Sequence, residues 1–460
     1  MFKNRFVQLS TIAIKIIMAQ NNKSFSLFDF CKKRADKIQI FGEESLDEDG
    51  NIIPFIDQAA LVTHFLQLRN SSIHIPYASK AESILNLWYE FVRGEREQRP
   101  KDFTGVSDSA SDYQAYLFPD LFQAPFPAPK NPKFTFIDLF AGIGGFRMAF
   151  QNLGGECVFS SEWDEQAKKT YFANYGDVPF GDITKEATKS RIPEGFDILC
   201  AGFPCQAFSL AGKKLGFAET RGTLFFDVAE ILRRYQPKAF FLENVKGLAI
   251  HDKGKTLRTI LNTLDEVGYT VPEPQIVNAM YFGVPQHRER IYIVGFRKDL
   301  GLSKDNFAYP QQKEVAKRWI DVREENPVPA KYYLSTTYQQ TLINHKARHA
   351  AKGNGFGYDI IPDDGIAHAI VVGGMGRESN LVIDFRQKDL TPTTNIKGTV
   401  NTDGWRKMTP REWARLQGYP DSFKIVVADA SAYKQFGNSV AVPAIQATAA
   451  QLLKTLTQGK

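Results

Sequence analysis

Residues 134–155 carry the pattern that most restricts how this chain can fold. Phe134–Leu139 is a run of apolar and β-branched residues typical of a buried strand. A glycine-rich turn, Phe140–Gly145, follows it, and Phe146–Leu153 then reads as a helix closed by two glycines. Strand, glycine turn and helix in this order predict the first βα unit of a doubly wound α/β sheet, whose turn usually holds a nucleotide.

The next strand supports a nucleotide site and narrows its type. Val158–Ser161 ends at Glu162, twenty residues beyond Gly142. An acid at this place typically accepts hydrogen bonds from ribose hydroxyls. The third glycine of a dinucleotide fingerprint would fall at Arg147, which argues against a dehydrogenase. We therefore predict an adenosine cofactor without a pyrophosphate, namely S-adenosylmethionine.

A third unit ends in Phe180–Ile183. Asp182 lies where an acceptor can meet the adenine amino group. The alternative is that Asp182 caps a helix, since aspartate is favoured at the N-cap position.

A cysteine behind a proline marks the end of the following strand. Phe196–Ala201 reads as a buried strand, and Pro204-Cys205 comes directly after it. Pro204 fixes its own φ and donates no hydrogen bond, so the backbone before the sulfur is stiff. Residues 208–223 are rich in glycine, lysine and arginine, as in a functional lid. An ordinary buried cysteine is the alternative.

Charged residues also follow two later strands. Ala239–Leu242 delivers Glu243, and a carboxylate at the end of a hydrophobic strand is costly unless it is used or paired. Arg288 and Arg290 precede the strand Ile291–Gly295 and alternate onto one face. Two like charges there predict a contact with a carboxylate or a nucleic acid; the alternative is a solvated edge.

The remaining sequence predicts the domain organisation. Ile52–Leu68 and Ala81–Val92 have helical periodicity, and a proline-rich stretch follows them. Residues 298–405 lose periodicity, and their loops carry arginine and lysine suited to phosphate contact, although a small β domain with solvated loops would look similar. We expect the first 118 residues to be a separate piece that the chemical step does not need. The predicted parts are a helical N-terminal extension (1–118), a linker (119–133), a catalytic domain (134–297), a loop-rich target-recognition domain (298–428) and a C-terminal segment that returns to the catalytic domain (429–460).

Bulk properties exclude several classes of protein. The net charge of +6 suits an anionic partner without requiring one. Four cysteines make neither a paired zinc spacing nor a disulfide framework, so we expect a reducing cytoplasm and no metal. The apolar run at residues 6–18 is interrupted by Lys15 and is too short to span a bilayer, and no small-residue cleavage site follows it. Met18 is an alternative start.

Taken together, the ordered motifs resemble one family. From about Phe134 to Leu456 the chain is similar to the bacterial cytosine-5 DNA methyltransferases of restriction–modification systems. The matching stretches are DLFAGIGGF at 138–146, SSEWD at 160–164, GDI at 181–183, GFPCQAFS at 202–209, RGTLFFD at 221–227, ENV at 243–245, QHRERIYIVGF at 286–296, RKMTPREWARLQGYP at 406–420 and QFGNSVAVP at 435–443.

The resemblance implies a role for each matching residue. Cys205 would be the nucleophile held by Pro204, Glu243 would hold the ring edge of cytosine, Arg288 would contact the base carbonyl, and Arg290 would orient the neighbouring acids. Ser209 would lie on a loop that closes on DNA, with Lys213 and Arg221 on the same loop. The residues expected to bind S-adenosylmethionine are Phe140, Gly142, Gly144, Glu162, Trp163 (against the adenine), Asp182, Ile183, Leu224 and Asn438.

The implied activity is methyl transfer to C5 of a cytosine flipped out of a short, specific duplex DNA sequence. Such an enzyme would protect host DNA from a cognate restriction endonuclease, a genetic rather than a physical partner. We expect a monomer in the bacterial cytoplasm. Two alternatives stay open from the sequence: a tRNA cytosine-5 methyltransferase, and a non-catalytic DNA-binding regulator on the same fold. The DNA target and the base that removes the C5 proton are not readable from the sequence.

Overall fold

The computed structural model describes residues 46–47, 51–97 (backbone alone for 90–97), 123–204, 224–373, 376–393 and 398–459. Its helices are α1 (Phe55–Leu68), α2 (Ala78–Glu97), α3 (Gly145–Gln151), α4 (Glu165–Tyr175), α5 (Glu186–Lys189), α6 (Leu224–Tyr235), α7 (Lys255–Glu266), α8 (Thr336–Ala350), α9 (Pro410–Leu416), α10 (Asp429–Asn438) and α11 (Val442–Leu456). Its strands are β1 (Phe134–Leu139), β2 (Gly155–Ser161), β3 (Ile198–Gly202), β4 (Ala239–Val245), β5 (Tyr269–Thr270), β6 (Gln275–Asn278), β7 (Gln286–His287), β8 (Glu289–Arg297), β9 (Ala367–His368), β10 (Leu381–Ile383) and β11 (Trp405–Lys407).

A mixed sheet organises the catalytic part of the described chain. The strand order is β2-β1-β3-β4-β8-β5, and β6 also pairs with β8. Strands β2, β1, β3 and β4 are parallel, whereas β8 runs antiparallel to β4, β5 and β6. The carboxyl ends of four parallel strands therefore meet at one edge, where open α/β sheets bind ligands.

Both faces of the sheet are covered, as the sequence predicted. Successive residues of β1 contribute to different cores, with Ile137 and Leu139 in one and Phe136 in the other. This follows from the alternation of side chains along a strand. The predicted bounds of β1 agree with the structure, and β3 lies near its predicted position at Phe196–Ala201. The predicted doubly wound fold is confirmed.

The two N-terminal helices form where helical periodicity predicted them, but they are not a separate piece. Phe55, Leu61 and Leu66 of α1 lie in the same buried core as Val158 and Phe159 of β2. Strand β2 is the edge of the sheet, and the helix pair covers apolar surface that would otherwise face water. The expectation of an independent N-terminal domain is corrected here, because apolar contacts join the two parts. The other domain boundaries stay a prediction.

The described residues of 298–428 have little regular structure. Helix α8 and the short strands β9, β10 and β11 are joined by long loops. Thr409 caps α9 through a reciprocal capping box with Glu412, and Pro410 occupies the first turn. Arg406 is fully buried and forms ion pairs with Asp384 and Glu412, so a charged cluster joins this region to α9.

Within the described part of the chain, no helix combines the length and the apolar character that a membrane span requires.

Candidate active site

A cavity of about 720 Å³ opens at the carboxyl ends of β1–β4. Most of the described residues predicted to bind a cofactor or a base line it. They are Phe140, Gly142, Glu162, Trp163, Asp182, Ile183, Pro204, Leu224, Glu243, Arg288, Arg290 and Asn438. The structure thus brings together side chains separated by up to three hundred residues of sequence.

The glycine turn after β1 has a backbone that few side chains tolerate. Phe140 adopts a φ of +56°, an uncommon conformation for a bulky residue that is typical of strained functional sites. Gly144 lies behind the cavity wall rather than in it. A Cβ at Gly144 would come within 2.3 Å of the Tyr175 ring, whose hydroxyl donates to the Gly144 carbonyl at 2.7 Å. Gly144 therefore allows the turn to pack on α4, whereas Gly142 borders the cavity.

Glu162 ties the second strand to this turn. Its carboxylate accepts hydrogen bonds from the backbone N–H groups of Gly142, Trp163 and Asp164, each at 2.8 Å. Burial raises the pKa of Glu162, and the hydrogen bonds to its carboxylate oppose this. The side chain is 9% exposed and lines the cavity, and Oε2, which accepts from Gly142 alone among these groups, keeps capacity for a further hydrogen bond.

Trp163 and Asp182 flank the same end of the cavity. The Trp163 side chain is 77% exposed, an unusual position for an indole without a partner. Asp182 Oδ1 accepts from the Thr184 N–H at 3.0 Å and from its hydroxyl at 2.9 Å. The alternative reading of Asp182 as a helix N-cap is wrong, because Lys185 occupies that position before α5.

The C-terminal segment forms a further wall of the cavity. Lys434 Nζ lies 2.6 Å from Asp164 Oδ2, and Gln435 bonds to the α4 residues Gln166 and Thr170. These contacts fix α10, so that Asn438 at its end borders the cavity. Sequence motifs predicted Asn438, but they gave no signal for Lys434.

Glu243 lies at the end of β4, paired with an arginine of β8. Arg290 Nε is 3.2 Å from Glu243 Oε1. Glu243 is 8% exposed, and burial raises the pKa of its carboxyl, with Arg290 and then Arg288 opposing. The predicted contact between an arginine and a carboxylate is present, and the alternative of a solvated edge is wrong.

Arg288 lies deeper and is held by carbonyl groups. Its guanidinium donates to Ile370 at 2.9 Å, Gly437 at 3.2 Å and Ser439 at 2.6 Å. Its Nε is buried and has no hydrogen-bond partner among the described residues. Arg288 thereby joins β8 to the C-terminal segment and to the loop at Ile370.

Several predicted residues lie outside the described residues, namely Cys205, Ser209, Lys213 and Arg221. Pro204, the residue before Cys205, lines the cavity. Val371 and Val372 also line the cavity, exposed at 43% and 46%, and no sequence motif pointed to them. The sequence around them is apolar and rich in glycine but has no helical or strand periodicity, so nothing local marks these two valines as site residues.

Comparison with known proteins identifies the family. The model of the C-5 cytosine-specific DNA methylases matches residues 134–454. The type II methyltransferase M.HpaII of Haemophilus parainfluenzae is 71% identical over 336 residues, which cover 72% of this chain and 93% of that protein. M.SsoII of Shigella sonnei is 46% identical over 365 residues, covering 79% of this chain and 91% of that protein.

A solved structure of the Entamoeba histolytica methyltransferase EhMeth shares the fold, with a TM-score of 0.52 and 19% identity, over 71% of this chain and 98% of that one. The DNA methylase model and the type II relatives do not favour a tRNA methyltransferase or a non-catalytic regulator. The chain belongs to the C-5 cytosine-specific DNA methylases, the cytosine-5 methyltransferases of restriction–modification systems.

Proposed function

We propose that this cavity binds S-adenosylmethionine at the ends of β1 and β2 and the target cytosine at the ends of β3 and β4. The observation that carries the proposal is that Glu162 and Glu243 line one continuous cavity from opposite ends. A methyl donor and a base bound there would meet without leaving the protein.

The residues at the first end fit an adenosine-containing methyl donor. Gly142 leaves open space where a side chain would project, and its φ of +56° favours glycine. Glu162 supplies acceptors for ribose hydroxyls, Asp182 an acceptor for the adenine amino group, and Trp163 a flat apolar surface. When bound, S-adenosylmethionine supplies an electrophilic methyl group on a sulfonium centre.

At the second end the chain must activate a weak nucleophile, C5 of cytosine. The Cys205 thiolate adds to C6, and the electrons of the C5–C6 double bond move into the ring as an enamine. Glu243, when protonated, donates a hydrogen bond or a proton to N3 and accommodates those electrons. Its burial favours the protonated form, in line with the direction of its pKa. C5 can then take the methyl group; afterwards a base removes the C5 proton and the sulfur leaves.

The contacts of Arg288 and Arg290 support roles that differ from those implied by the family resemblance. Three carbonyl groups accept from the terminal nitrogens of Arg288, which leaves Nε and one N–H of Nη1 as its remaining donors. Arg290 contacts Glu243 and is half-buried at the cavity wall. We therefore assign Arg290 to the base carbonyl and to the orientation of Glu243, and Arg288 to the support of the wall.

A cytosine inside a duplex cannot reach this cavity, because its C6 is stacked between neighbouring bases. The base must be flipped out before Cys205 can attack. We assign Ser209, Lys213 and Arg221 to the loop that closes on the DNA.

We assign sequence recognition to residues 298–428, whose long loops border the cavity at Val371 and Val372. Exchange of residues 298–405 for the segment of a relative with another target should change the methylated sequence and keep the chemistry. An active chimera that keeps its original target would move recognition elsewhere. We further propose that the enzyme acts as a monomer in the bacterial cytoplasm and protects DNA from a cognate endonuclease.

Bisulfite sequencing of DNA from a bacterial host that expresses the protein tests the proposal. Methylated cytosines resist bisulfite deamination, so one cytosine within one short sequence should be protected genome-wide. Expression of Cys205→Ser is the matched control and should leave all these cytosines convertible. Methylation on an exocyclic amine, with no bisulfite-resistant position, would refute the proposed chemistry.

A further inference from the structure

One segment connects the N-terminal helix pair to the cofactor end of the cavity. Residues 177–182 follow α4 and run beside the end of β2. The Phe180 N–H donates to the Ser160 carbonyl at 2.8 Å, and the Glu162 N–H donates to the Phe180 carbonyl at 2.9 Å. Asp182 follows two residues later. This segment, which we call the Phe180 segment, therefore holds Glu162 from one side and carries Asp182 itself.

Helix α1 packs on the other side of the Phe180 segment. The Thr63 hydroxyl accepts a hydrogen bond from the buried Val178 N–H at 3.0 Å. The His64 ring lies 4.6 Å from the Phe180 ring, centroid to centroid. Tyr77, just before α2, meets the same ring edge-on at 5.3 Å. The Val178 N–H and the Phe180 ring are therefore held in place by contacts with α1 and Tyr77, which come much earlier in the sequence.

A polar network extends from α1 to the glycine turn. Gln67 donates to the Tyr175 carbonyl at 2.7 Å and accepts from Arg147 Nη2 at 3.1 Å. Tyr175 in turn donates to the Gly144 carbonyl at 2.7 Å. Arg147 also forms a buried ion pair with Asp177. Gln67 therefore contacts the backbone of Tyr175, whose ring packs on the glycine turn, and the guanidinium of Arg147, which lies over that ring at 4.6 Å.

The helix pair lies outside the part of the chain that the family model matches. The family model begins at residue 134, and M.HpaII is matched over 93% of its own length, with 72% of this chain. That relative has little length left for a counterpart of α1 and α2. The supports on the Phe180 segment consequently come from residues that lie outside the family model.

We propose that Thr63 and Gln67 are positioning residues for the cofactor, acting through the Phe180 segment and the glycine turn. The proposal rests on the proposed function of the cavity. Thr63 satisfies the Val178 N–H and so fixes the segment that aligns Glu162 and Asp182. Gln67 fixes Tyr175 and Arg147 and so aligns the turn at Gly142.

The test compares isosteric and conservative variants in the full-length protein. Thr63→Val keeps the side-chain volume but leaves the buried Val178 N–H without its acceptor, whereas Thr63→Ser keeps the hydroxyl. Gln67→Ala removes the three hydrogen bonds of the amide, to Tyr175, Asp177 and Arg147. Trp88→Phe is the matched control, because Trp88 is buried in the same helix pair and its indole N–H bonds within that pair, to Gln58 at 3.1 Å.

Calorimetry with S-adenosylhomocysteine, the melting temperature and steady-state kinetics are measured for each protein. Thr63→Val and Gln67→Ala should weaken binding by about fivefold to twentyfold, the scale of one lost buried hydrogen bond. The KM for the methyl donor should rise likewise, while the KM for DNA should change by less than about twofold. Thr63→Ser should restore binding, and Trp88→Phe should lower the melting temperature without weakening binding.

Two results would overturn the positioning role. One is unchanged binding in Thr63→Val and Gln67→Ala; the other is a loss in Trp88→Phe that equals theirs. If Thr63→Val does not fold, the comparison of S-adenosylhomocysteine binding between Gln67→Ala and Trp88→Phe decides whether the positioning role holds. Failure of the proposed function itself would be distinct, since the unaltered protein would then neither bind S-adenosylhomocysteine nor methylate DNA.

Discussion

The Nε atom of Arg290 lies 3.2 Å from Oε1 of Glu243, at the end of the cavity opposite Glu162. Burial raises the pKa of Glu243, and the nearby guanidinium of Arg290 opposes that rise. The pair therefore sets how readily the acid becomes protonated, the form that can donate to the ring of a cytosine. This balance can be measured through the pH dependence of turnover.

Turnover should fall at alkaline pH as Glu243 loses its proton. Arg290→Ala removes the charge that lowers the pKa of Glu243, so the alkaline fall should move to higher pH and kcat should drop by about a hundredfold or more. In Glu243→Gln the fall should disappear, because an amide does not titrate in this range. Profiles of kcat against pH under single-turnover conditions report both effects.

Arg297→Ala is the control for those profiles. Arg297 lies at the far end of the same strand and pairs with Asp299, so its loss should leave the alkaline limb in place. An alkaline limb that Arg290→Ala leaves unmoved would show that another group is responsible.

Glu162→Ala should weaken cofactor binding by about one to two decades, since charge-assisted hydrogen bonds to the ribose are lost. The substitution also removes the acceptor of three backbone N–H groups, so Glu162→Gln is needed as a partial replacement and should bind more tightly than the alanine variant. Calorimetry with S-adenosylhomocysteine measures this. Glu165→Gln, three residues along and exposed, is the control. Unchanged binding in Glu162→Ala would remove Glu162 from the site.

Local sequence predicted the elements that carry the site. The β1 strand, the glycine turn and Glu162 are specified by neighbours within a few residues, through β-propensity, glycine conformation and strand length. The capping box of Thr409 and Glu412 is equally local, since its two residues are three positions apart. Such signals survive in a single sequence because they do not depend on distant partners.

Contacts between distant residues were beyond such reasoning. Thr63 meets Val178 across 115 positions, and Lys434 meets Asp164 across 270. The side chains of Thr63 and Lys434 could equally well be hydrogen-bonded to water. Their partners are fixed only when the helices that carry them pack against the sheet. The expectation of an independent N-terminal piece failed for the same reason, since helical periodicity shows an apolar face but not what covers it.

Asp138 on β1 should make stability depend on pH. It is buried, and burial raises its pKa to about 8, with the backbone N–H and then the charge of Arg147 opposing that rise. The unfolded chain ionises near the ordinary value of 3.8, so stability from this group is greatest below that pH and falls as pH rises towards 8. Asp138→Asn cannot ionise, and its melting temperature relative to the unaltered protein should rise between pH 4 and about 8.

Melting temperatures of both proteins across that range, with the exposed Asp265→Asn as control, test the assignment. A difference between Asp138→Asn and the unaltered protein that stays constant with pH would mean that Asp138 is ionised in the folded state.

The nucleophile and the methylated atom are tested together. Methylation of an exocyclic amine needs no cysteine, whereas methylation of C5 needs a nucleophile at C6 and an acid at the ring edge. The chain offers Cys205, the next residue after Pro204 in the sequence. It also offers Glu243 beside Arg290, at the end of the cavity away from the proposed cofactor residues. Tritium at C5 of the target cytosine should therefore be released to water as the methyl group is added. A fluorine at C5 cannot leave as a proton does, so DNA with 5-fluorocytosine at the target should become covalently attached to the protein in the presence of the methyl donor.

Cys205→Ser should abolish both results, because a serine hydroxyl is barely ionised at neutral pH, while S-adenosylhomocysteine should still bind through Glu162 and the glycine turn. Normal turnover by Cys205→Ser, or a methyl group on the exocyclic nitrogen, would exclude covalent catalysis at this site.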